Sequence, residues 1–251
     1  MDLNLVSFNI RSLDDPDGYS IPERAPRLSK VIRDIDPDII GIQEFRPSWE
    51  KLFHEHFLDR YEMYNQYRTL EGWIEGCPIL WKKDLFDLED KGIFWFSDTP
   101  EVESQGWDEL GHKRIGIYVL LKDLRDGSRF VSMNTHFGFG DDCQIKSARI
   151  LKDYTDRFSD LPLFITGDFN ARPESHAYKE MTKHFRDVNA MVLNDWGDTY
   201  HGYYVSEDLP EHIDYCFIND HVEPVSERVI REKVDGYFPS DHYGLQIELK
   251  I

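Results

Sequence analysis

Residues 163–170 read Leu-Phe-Ile-Thr-Gly-Asp-Phe-Asn, an apolar run that ends in two polar side chains, Asp168 and Asn170. A short apolar run bounded by turn-forming residues is typical of a buried β-strand. An Asp or Asn after a strand usually only forms the turn. The segment alone therefore predicts a strand, Leu163–Thr166, and its polar end needs support from the rest of the chain.

Five further apolar strands carry polar residues at one end. These residues are Asn9 after 5–8, Glu44 after 39–43, Asn134 and His136 after 130–133, Asp214 at the start of 213–218, and Asp241 with His242 ahead of the last strand. His136 alone would be more typical of a hydrogen-bonded core residue. Turn formation does not account for amide, carboxylate and imidazole groups recurring together at strand ends. We therefore interpret them as one polar site.

The order of strands and helices predicts an α/β fold with two packed sheets flanked by helices. The last strand shows the sheet pattern most clearly, because apolar and polar residues alternate over 243–251. Helices are predicted from the capping box Ser20 to Glu23, from Pro47 to about Phe57, and after a cap at Asp141 or Asp142. The other predicted strands are 3–9, 39–43, 77–81, 86–94, 114–121, 129–134, 163–166, 213–218 and 222–231. Residues 94–110 show no periodicity and are predicted to be a long loop.

Composition limits the class of protein and of partner. The chain has 251 residues, with 29 Lys and Arg against 48 Asp and Glu, for a net charge of −19. Duplex-binding proteins gain affinity from many basic contacts to phosphates, so this charge argues against duplex DNA. It is compatible with a small phosphate ester held by a metal ion. No linker divides the sequence, and we interpret residues 1–251 as a single domain.

The three cysteines, Cys77, Cys143 and Cys216, are scattered and predict neither disulfides nor a zinc site. No run approaches the roughly 20 apolar residues of a membrane span. We expect a cytoplasmic protein without stable membrane insertion or an obligate protein partner. Secretion stays open if a signal peptide was removed.

The strand-end residues supply the groups that phosphate ester hydrolysis needs. Mg²⁺ takes carboxylate oxygens and water, which Glu44 and Asp241 suit as ligands. An attacking water needs a carboxylate or imidazole to orient and deprotonate it. Oxygens that gain charge toward the transition state need neutral or cationic donors nearby. Candidates for these donors are Asn9, Asn170, Arg114 and His136.

In this order, the strand-end motifs resemble the endonuclease/exonuclease/phosphatase superfamily. The match extends from residue 4 to about 249, and its most specific elements are Gly167-Asp168-Phe169-Asn170 and Ser240-Asp241-His242. A further segment, 94–108 followed by Arg114, resembles the deadenylase-like branch, and His136 resembles a histidine of the deoxyribonuclease-like and deadenylase-like branches. The resemblance implies a four-layer α/β sandwich with two central mixed sheets. The motifs are Ser7-Phe8-Asn9, Gln43-Glu44, Asn134-Thr135-His136, Gly167-Asp168-Phe169-Asn170, Ile213-Asp214-Tyr215 and Ser240-Asp241-His242.

The resemblance also implies a role for each site residue. It implies a metal site with Mg²⁺ or Mn²⁺ at Glu44, with Asp241 and Asn9 near or in the metal shell. Asp168 would orient the attacking water or hold a second metal. His242, supported by Asp214, would be the imidazole partner of the phosphate or the general base. The implied phosphate-binding residues are Asn9, Arg114 and Asn170, and His136 would be a phosphate binder or general acid.

One departure from the family pattern concerns the lip of the site. Relatives often carry an acidic residue two positions after His136, where this chain has Gly138. This difference suggests a flatter or more apolar lip, and loop aromatics are candidates to line it. These aromatics are Trp73, Trp107, Phe139 and Tyr237.

The leading prediction is a metal-dependent hydrolase of phosphate esters, acting on a small phosphorylated substrate or on single-stranded nucleic acid. The alternative within enzymes is a nuclease that acts on DNA or RNA. A catalytically inactive protein that binds a phosphorylated ligand is a third reading, which the intact acids and His242 disfavour. A zinc hydrolase built on His136, Asp168 and His242 is a fourth, and the chain lacks a short-spaced histidine pair for it.

Overall fold

A computed structural model describes residues 1–193, 197–203 and 211–251 of the chain. The helices in these ranges are α1 (Ile21–Ile35), α2 (Pro47–His56), α3 (Asp141–Thr155), α4 (His176–Met181) and α5 (Val188–Val192). The strands are β1 (Asp2–Asn9), β2 (Ile39–Gln43), β3 (Tyr61–Tyr64), β4 (Ile79–Lys82), β5 (Phe86–Trp95), β6 (Ile115–Asp123), β7 (Arg129–His136), β8 (Leu163–Asp168), β9 (Arg186–Asp187), β10 (Asp214–Ile218), β11 (Glu223–Ile230) and β12 (Gly244–Lys250).

The strands form two mixed six-stranded sheets. The first has the order β11-β12-β1-β2-β4-β3, and the second has the order β5-β6-β7-β8-β10-β9. In each sheet one central pair is parallel, β1 with β2 and β7 with β8, and the remaining pairs are antiparallel. The predicted pair of mixed sheets is confirmed.

Three apolar cores arrange the molecule in four layers. The core between the sheets contains alternate residues of β12, Leu245, Ile247 and Leu249, whereas Glu248 and Lys250 are exposed. The opposite faces of the sheets pack on helices, the first sheet on α1 and α2 and the second on α3 and α4. This confirms the predicted four-layer α/β sandwich and the alternation in the last strand.

A buried polar network crosses the core between the sheets. The Asn134 side chain of β7 donates through Nδ2 to the carbonyl oxygens of Ile42 on β2 and of Cys77 and Pro78 just before β4, at 2.7–3.1 Å. Its Oδ1 accepts from Gln43 Nε2 at 2.7 Å. Buried amides stabilise a fold when their donors and acceptors are satisfied, so this network sets how the two sheets meet.

The structure differs from the sequence-based elements in several places. Neither Asp141 nor Asp142 caps α3, because Gly140, with φ 96°, is the N-cap and both acids lie in the first helical turn. Strand β6 begins at Ile115, and Arg114 directly precedes it. The elements β3, α4, β9 and α5 were not predicted, since they span only 4, 6, 2 and 5 residues. In the described ranges, no helix has the length and apolar character needed to cross a bilayer.

Candidate active site

The predicted strand-end residues surround one cleft at the edge where the two sheets meet. Strand register explains this for the second sheet, because His136 of β7 and Asp214 of β10 are the direct partners of Asp168 on β8. In the first sheet, Asn9 of β1 pairs with Gln43 of β2, and Glu44 follows. The cleft has a volume of about 360 Å³. Site residues that line it are Glu44, Arg114, His136, Asp168, Asn170, Asp241 and His242.

Asp168 lies at the centre of this arrangement. Its Oδ2 accepts a hydrogen bond from Asn9 Nδ2 at 2.9 Å. The same oxygen lies 3.5 Å from Nε2 of His136 and 3.7 Å from Nε2 of His242. Burial and the nearby Asp214 charge raise the pKa of Asp168 to about 7. A carboxyl group whose pKa is close to neutrality can accept and release a proton at physiological pH.

His242 forms a pair with Asp214 behind the cleft wall. Its Nδ1 lies 2.9 Å from Oδ2 of Asp214, and both side chains are buried. Burial opposes a charge on the imidazole, but Asp214 and other acids outweigh it and raise the pKa of His242 to about 10. The pair therefore holds a protonated imidazole whose Nε2 faces Asp168.

His136 is the neutral counterpart of His242. Burial and the positive charge of Arg114 lower the pKa of His136 well below its ordinary value. Arg114 itself is buried, and its Nε contacts Oδ2 of Asp108 at 3.4 Å. The two histidines on either side of Asp168 thus differ in charge, which the sequence alone does not reveal.

Glu44 is held in a conformation that directs its carboxylate into the cleft. Its backbone has φ 62°, a region that non-glycine residues rarely adopt and that is enriched at functional sites. Its Oε2 accepts from the backbone N of Ser12 at 2.7 Å, and its Oε1 accepts from Asn9 Nδ2 at 3.1 Å. Although burial opposes ionisation, the hydrogen bonds from Ser12 and the charge of His242 keep the pKa of Glu44 below its ordinary value.

Asp241 is placed by the turn that precedes the last strand. Ser240 Oγ donates to the carbonyl oxygen of Asn9 at 2.7 Å and to Asp241 Oδ1 at 3.2 Å. Oδ2 of Asp241 lies 3.6 Å from Nε of Arg11. Burial, together with the charge of Glu44, raises the pKa of Asp241. The serine of the Ser240-Asp241-His242 motif therefore has a structural role, since it ties β12 to β1.

Asn170 lies opposite the acidic residues on the loop after β8. Its φ of 48° is again left-handed, which Asn adopts more readily than most residues. Its backbone N donates to Asp168 Oδ1 at 2.9 Å, and its Nδ2 donates to the carbonyl oxygen of Phe137 at 3.0 Å. The turn thereby fixes both Asp168 and the amide that faces the cleft.

The donor set of the cleft fits a hard divalent cation. Glu44 and Asp241 are carboxylates on its wall, the first half-buried and the second buried. A second buried group of ligand type consists of Asp168, Asp214 and His242, whose ligand atoms lie within 4.8 Å of one another. Carboxylate oxygens are the ligands that Mg²⁺ and related ions prefer. The amide oxygen of Asn9, Oδ1, accepts a hydrogen bond from the backbone N of Arg11 at 3.0 Å. Direct contacts of Asn9 with a metal ion or with phosphate stay predictions.

The cleft walls contain residues that the sequence did not single out. Of the loop aromatics, Trp73 and Phe139 line the cleft. Trp107 instead lies 4.7 Å from the Lys146 ammonium, and Tyr237 packs on Tyr19 and under Arg27, so the prediction that these two line the lip is wrong. The residues next to Trp107 and Tyr237 in the sequence do not predict these positions. The further lining residues are Arg11, Ser12, Arg68, Glu75, Leu110, His112, Tyr200, Glu211 and Ile213.

The sequence profile of the endonuclease/exonuclease/phosphatase family matches residues 6–242 of this chain. The chain belongs to this family. Its members are hydrolases of phosphate esters and generally depend on a divalent metal ion, in agreement with the buried Asp168, Asp214 and His242 group.

Solved structures with the same fold cover almost the whole chain. A family protein from Bacteroides vulgatus is 26% identical, with a TM-score of 0.90 over 100% of this chain and 99% of that one. A mannosyl-6-phosphatase from Bacteroides thetaiotaomicron is 24% identical, with a TM-score of 0.86 over 99% of this chain and 100% of that one. At 24% identity, the likeness to the mannosyl-6-phosphatase shows only that the fold is shared.

A curated relative is the 3′-5′-exoribonuclease subunit Ccr4 of the CCR4-Not complex from Aspergillus niger. It is 24% identical over 91% of this chain and 47% of its own length. The chain thus spans about half the length of this relative. The match agrees with the predicted likeness to the deadenylase-like branch.

Proposed function

We propose that this protein is a Mg²⁺-dependent hydrolase of phosphate esters, either monoesters or diesters, with a small or single-stranded substrate. The observation that carries this proposal is the position of Asp168 between the imidazoles of His136 and His242, at 3.5 and 3.7 Å, in a cleft that also contains Glu44 and Asp241. The cleft thus brings together a proton acceptor, Asp168, a cationic imidazole, His242, and two carboxylates that suit a metal ion.

Glu44 and Asp241 are the residues that would hold Mg²⁺, with Mn²⁺ as a substitute. When bound, the ion neutralises charge on the phosphoryl oxygens. The chain prepares this position by keeping Glu44 ionised, since Ser12 N and Asn9 Nδ2 both donate to its carboxylate. A hydrogen-bonded carboxylate in a buried place is a pre-formed cation ligand.

Asp168 is placed to orient the attacking water and to accept its proton. Its Oδ1 is held by the backbone N of Asn170 and its Oδ2 by Asn9 Nδ2, so its orientation is fixed. Its pKa of about 7, raised by burial and Asp214, suits a general base. This assignment leaves the protonated His242 to face the phosphate, and it gives Asp214 the role of keeping that imidazole charged.

The remaining polar residues stabilise the phosphoryl group as its oxygens gain negative charge. Arg114 and Asn170 line the cleft, and both carry N–H groups. His136 is neutral because of burial and Arg114, so it can donate a hydrogen bond to an oxygen or relay a proton to the leaving group. Donors that are held before the reaction lower the barrier without reorganisation at the moment of charge development.

Cleft size and charge favour a small substrate. A volume of about 360 Å³ lies toward the lower end of the range for small-molecule sites, roughly 300–1,000 Å³. The net charge of −19 disfavours duplex DNA, which we therefore do not propose as a partner. The mannosyl-6-phosphatase name of one structural neighbour makes sugar phosphates a class to test. We also propose a cytoplasmic location, which the three free, buried cysteines support.

The second candidate function is a nuclease that acts on single-stranded RNA. The observation that favours it is the match to Ccr4, described as a 3′-5′-exoribonuclease subunit. Arg68, Trp73 and Phe139 on the cleft wall give one cation and two rings that a nucleotide can contact.

A substrate panel at fixed Mg²⁺ tests both candidates. It contains sugar phosphates, nucleotides, phosphoinositides, sphingomyelin, poly(A) and an abasic duplex. Higher kcat/KM for a small ester than for poly(A) supports the leading proposal, and the reverse order supports the nuclease. Fastest cleavage of the abasic duplex would contradict both, and no turnover with any substrate would contradict an active enzyme.

A further inference from the structure

Arg68 is a buried cation on the cleft wall that the proposed mechanism does not use. It is 4% exposed, and it lies on the loop between β3 and β4. Its Nε donates to the carbonyl oxygen of Trp73 at 3.2 Å, and its Nη1 forms an ion pair with Glu75 Oε2 at 2.9 Å. Its Nη2 is buried and has no acceptor among the described residues.

Arg114 shows the same feature in the same cleft. Its Nε contacts Asp108, while its buried Nη1 has no acceptor within the described part of the chain. In the described ranges, the Arg68 side chain forms its hydrogen bond and ion pair with Trp73 and Glu75, and none with Asp168, His136 or His242.

Two unpaired donors of this kind need an explanation. A buried N–H group without an acceptor costs about 1–3 kcal/mol, and more when the group is charged. Native structures therefore keep few such groups, and those that persist often await an ion or ligand. Since Arg68 and Arg114 both line the cleft, an acceptor bound there can satisfy them after a rotation of each guanidinium plane.

The missing acceptor has the properties of a phosphate group. A guanidinium group presents its N–H donors in a planar fork that matches phosphate oxygens, and it stays charged when buried. Arg68 and Arg114 each have an acidic partner already, Glu75 and Asp108, and one unpaired donor in addition, so an acceptor with several oxygens, such as phosphate, can satisfy both. The reacting phosphate belongs beside Asp168, whereas the side-chain contacts of Arg68 are to Trp73 and Glu75.

We propose that Arg68 binds a second phosphate group of the substrate, one that is not hydrolysed, with Arg114 as a further cation in the same cleft. The enzyme then prefers a bisphosphorylated small molecule over the corresponding monophosphate. This inference rests on the proposed phosphate ester hydrolase, and it adds a specificity-determining residue to that function.

The test compares matched substrates in matched variants. Glucose 1,6-bisphosphate is paired with glucose 6-phosphate, and a nucleoside 3′,5′-bisphosphate with its 3′-monophosphate. The variant is Arg68→Met combined with Glu75→Gln, which removes both charges of the ion pair and leaves no unpaired carboxylate. Glu75→Gln alone is the control, and Arg68→Lys retains a cation without the planar fork. Thermal unfolding of each variant checks that the fold is intact.

We expect kcat/KM of the double variant to fall about ten- to hundredfold for the bisphosphate of at least one pair, as loss of a charged hydrogen bond does. Its kcat/KM for the monophosphate should change less than threefold, and Arg68→Lys should lie between. An unchanged ratio of the two substrates would overturn the inference. Equal losses for both substrates would do so as well, because they would place Arg68 at the reacting phosphate or in the scaffold.

A binding experiment separates this inference from the proposed function. Glucose 1,6-bisphosphate is titrated calorimetrically into Glu44→Gln protein with EDTA, with and without the Arg68→Met and Glu75→Gln changes. Weaker binding on loss of Arg68, with glucose 6-phosphate binding unchanged, supports the second phosphate site even if no ester is hydrolysed. Equal binding of both sugar phosphates in all proteins would overturn it while leaving the hydrolase proposal untouched.

Discussion

Asn9 donates from Nδ2 to Oδ2 of Asp168 at 2.9 Å, and this bond joins the last residue of β1 in one sheet to the last residue of β8 in the other. The central residue of the site is therefore oriented by the opposite sheet. A change in the packing of the two sheets would therefore alter the orientation of the Asp168 carboxylate. The cleft is a product of the packing between the two sheets, and neither sheet can form it alone.

Removal of divalent metal should abolish activity. Glu44, which is half-buried, and Asp241, which is buried, place two carboxylates on the cleft wall, and a divalent cation would bind between such ligands. We expect turnover to disappear with EDTA and to return with Mg²⁺ or Mn²⁺. The measurement is ester hydrolysis before chelation, after it and after metal is added back. Activity that survives complete chelation would exclude a metal mechanism.

Replacement of Glu44 or His242 by Ala should reduce turnover while leaving the fold intact. Each residue occupies the cleft and not one of the three apolar cores, so the loss falls on metal binding or on phosphate stabilisation. We expect kcat to fall roughly a hundredfold or more in each variant. Circular dichroism and thermal unfolding serve as controls. Near-normal turnover in either variant would show that its assigned role is wrong.

Asp214→Asn should impair the enzyme through His242. The Asp214 carboxylate lies 2.9 Å from His242 Nδ1 and is the leading cause that opposes burial and keeps the imidazole protonated. A neutral amide removes that stabilisation, so we expect kcat to fall about tenfold or more and histidine NMR to show a lower pKa for His242. Asp123→Asn is a matched control, since this buried aspartate pairs with Arg125 on the turn after β6. A similar loss in both variants would argue for a general structural effect.

Much of this architecture is encoded in local sequence patterns. The alternation over 243–251 and the apolar runs at 3–9, 39–43 and 163–166 predict strands correctly, because burial on one or both faces fixes their periodicity. The motif residues at the strand ends meet in the cleft for the same reason, since strand register brings His136, Asp168 and Asp214 side by side.

Other features depend on contacts between distant segments and leave no local pattern. Arg68 and Glu75 enter the cleft from a loop whose path is set by its packing, and Tyr200 reaches His242 with ring centroids 4.9 Å apart from a segment without periodicity. The different charges of His136 and His242 arise from Arg114 and Asp214, which are remote in sequence. The cap of α3 was predicted wrongly, because the helix already begins at Asp141, and Gly140, with φ 96°, is its N-cap.

Asn134→Ala should destabilise the protein more than it changes the chemistry. The Asn134 amide shares its two Nδ2 hydrogens among the carbonyl oxygens of Ile42, Cys77 and Pro78, and its Oδ1 accepts from Gln43. Truncation removes these buried hydrogen bonds, at a cost of about 1–3 kcal/mol in the free energy of unfolding. Pro78 O keeps its bond from the backbone N of Ile42, and Gln43 Nε2 keeps its bond to Ser7 Oγ. Urea unfolding at neutral pH measures the change. Ser132→Ala is a control on the same strand, and equal stability of Asn134→Ala and the parent would mean that water replaces the amide.

Glu227→Gln should stabilise the protein increasingly as the pH rises. Glu227 on β11 is 5% exposed, and neither carboxylate oxygen has a hydrogen-bond partner among the described residues. Burial, and secondarily the charge of Asp187, raises the pKa of Glu227 well above its ordinary value. Above the unfolded-state pKa of about 4.3, only the unfolded chain releases this proton readily, so wild-type stability falls with rising pH until the folded pKa is reached.

The glutamine variant has no such proton to release. The difference in unfolding free energy between Glu227→Gln and wild type should therefore grow by up to about 1.4 kcal/mol per pH unit above pH 4.3, and it should be smallest below that pH. Urea unfolding of both proteins at pH 4, 6 and 8 measures this difference, and subtraction cancels the titration of all other groups. Glu248→Gln, at an exposed position of the neighbouring β12, is the matched control and should show a constant difference. A constant difference for Glu227→Gln as well would mean that Glu227 is solvated in the folded protein.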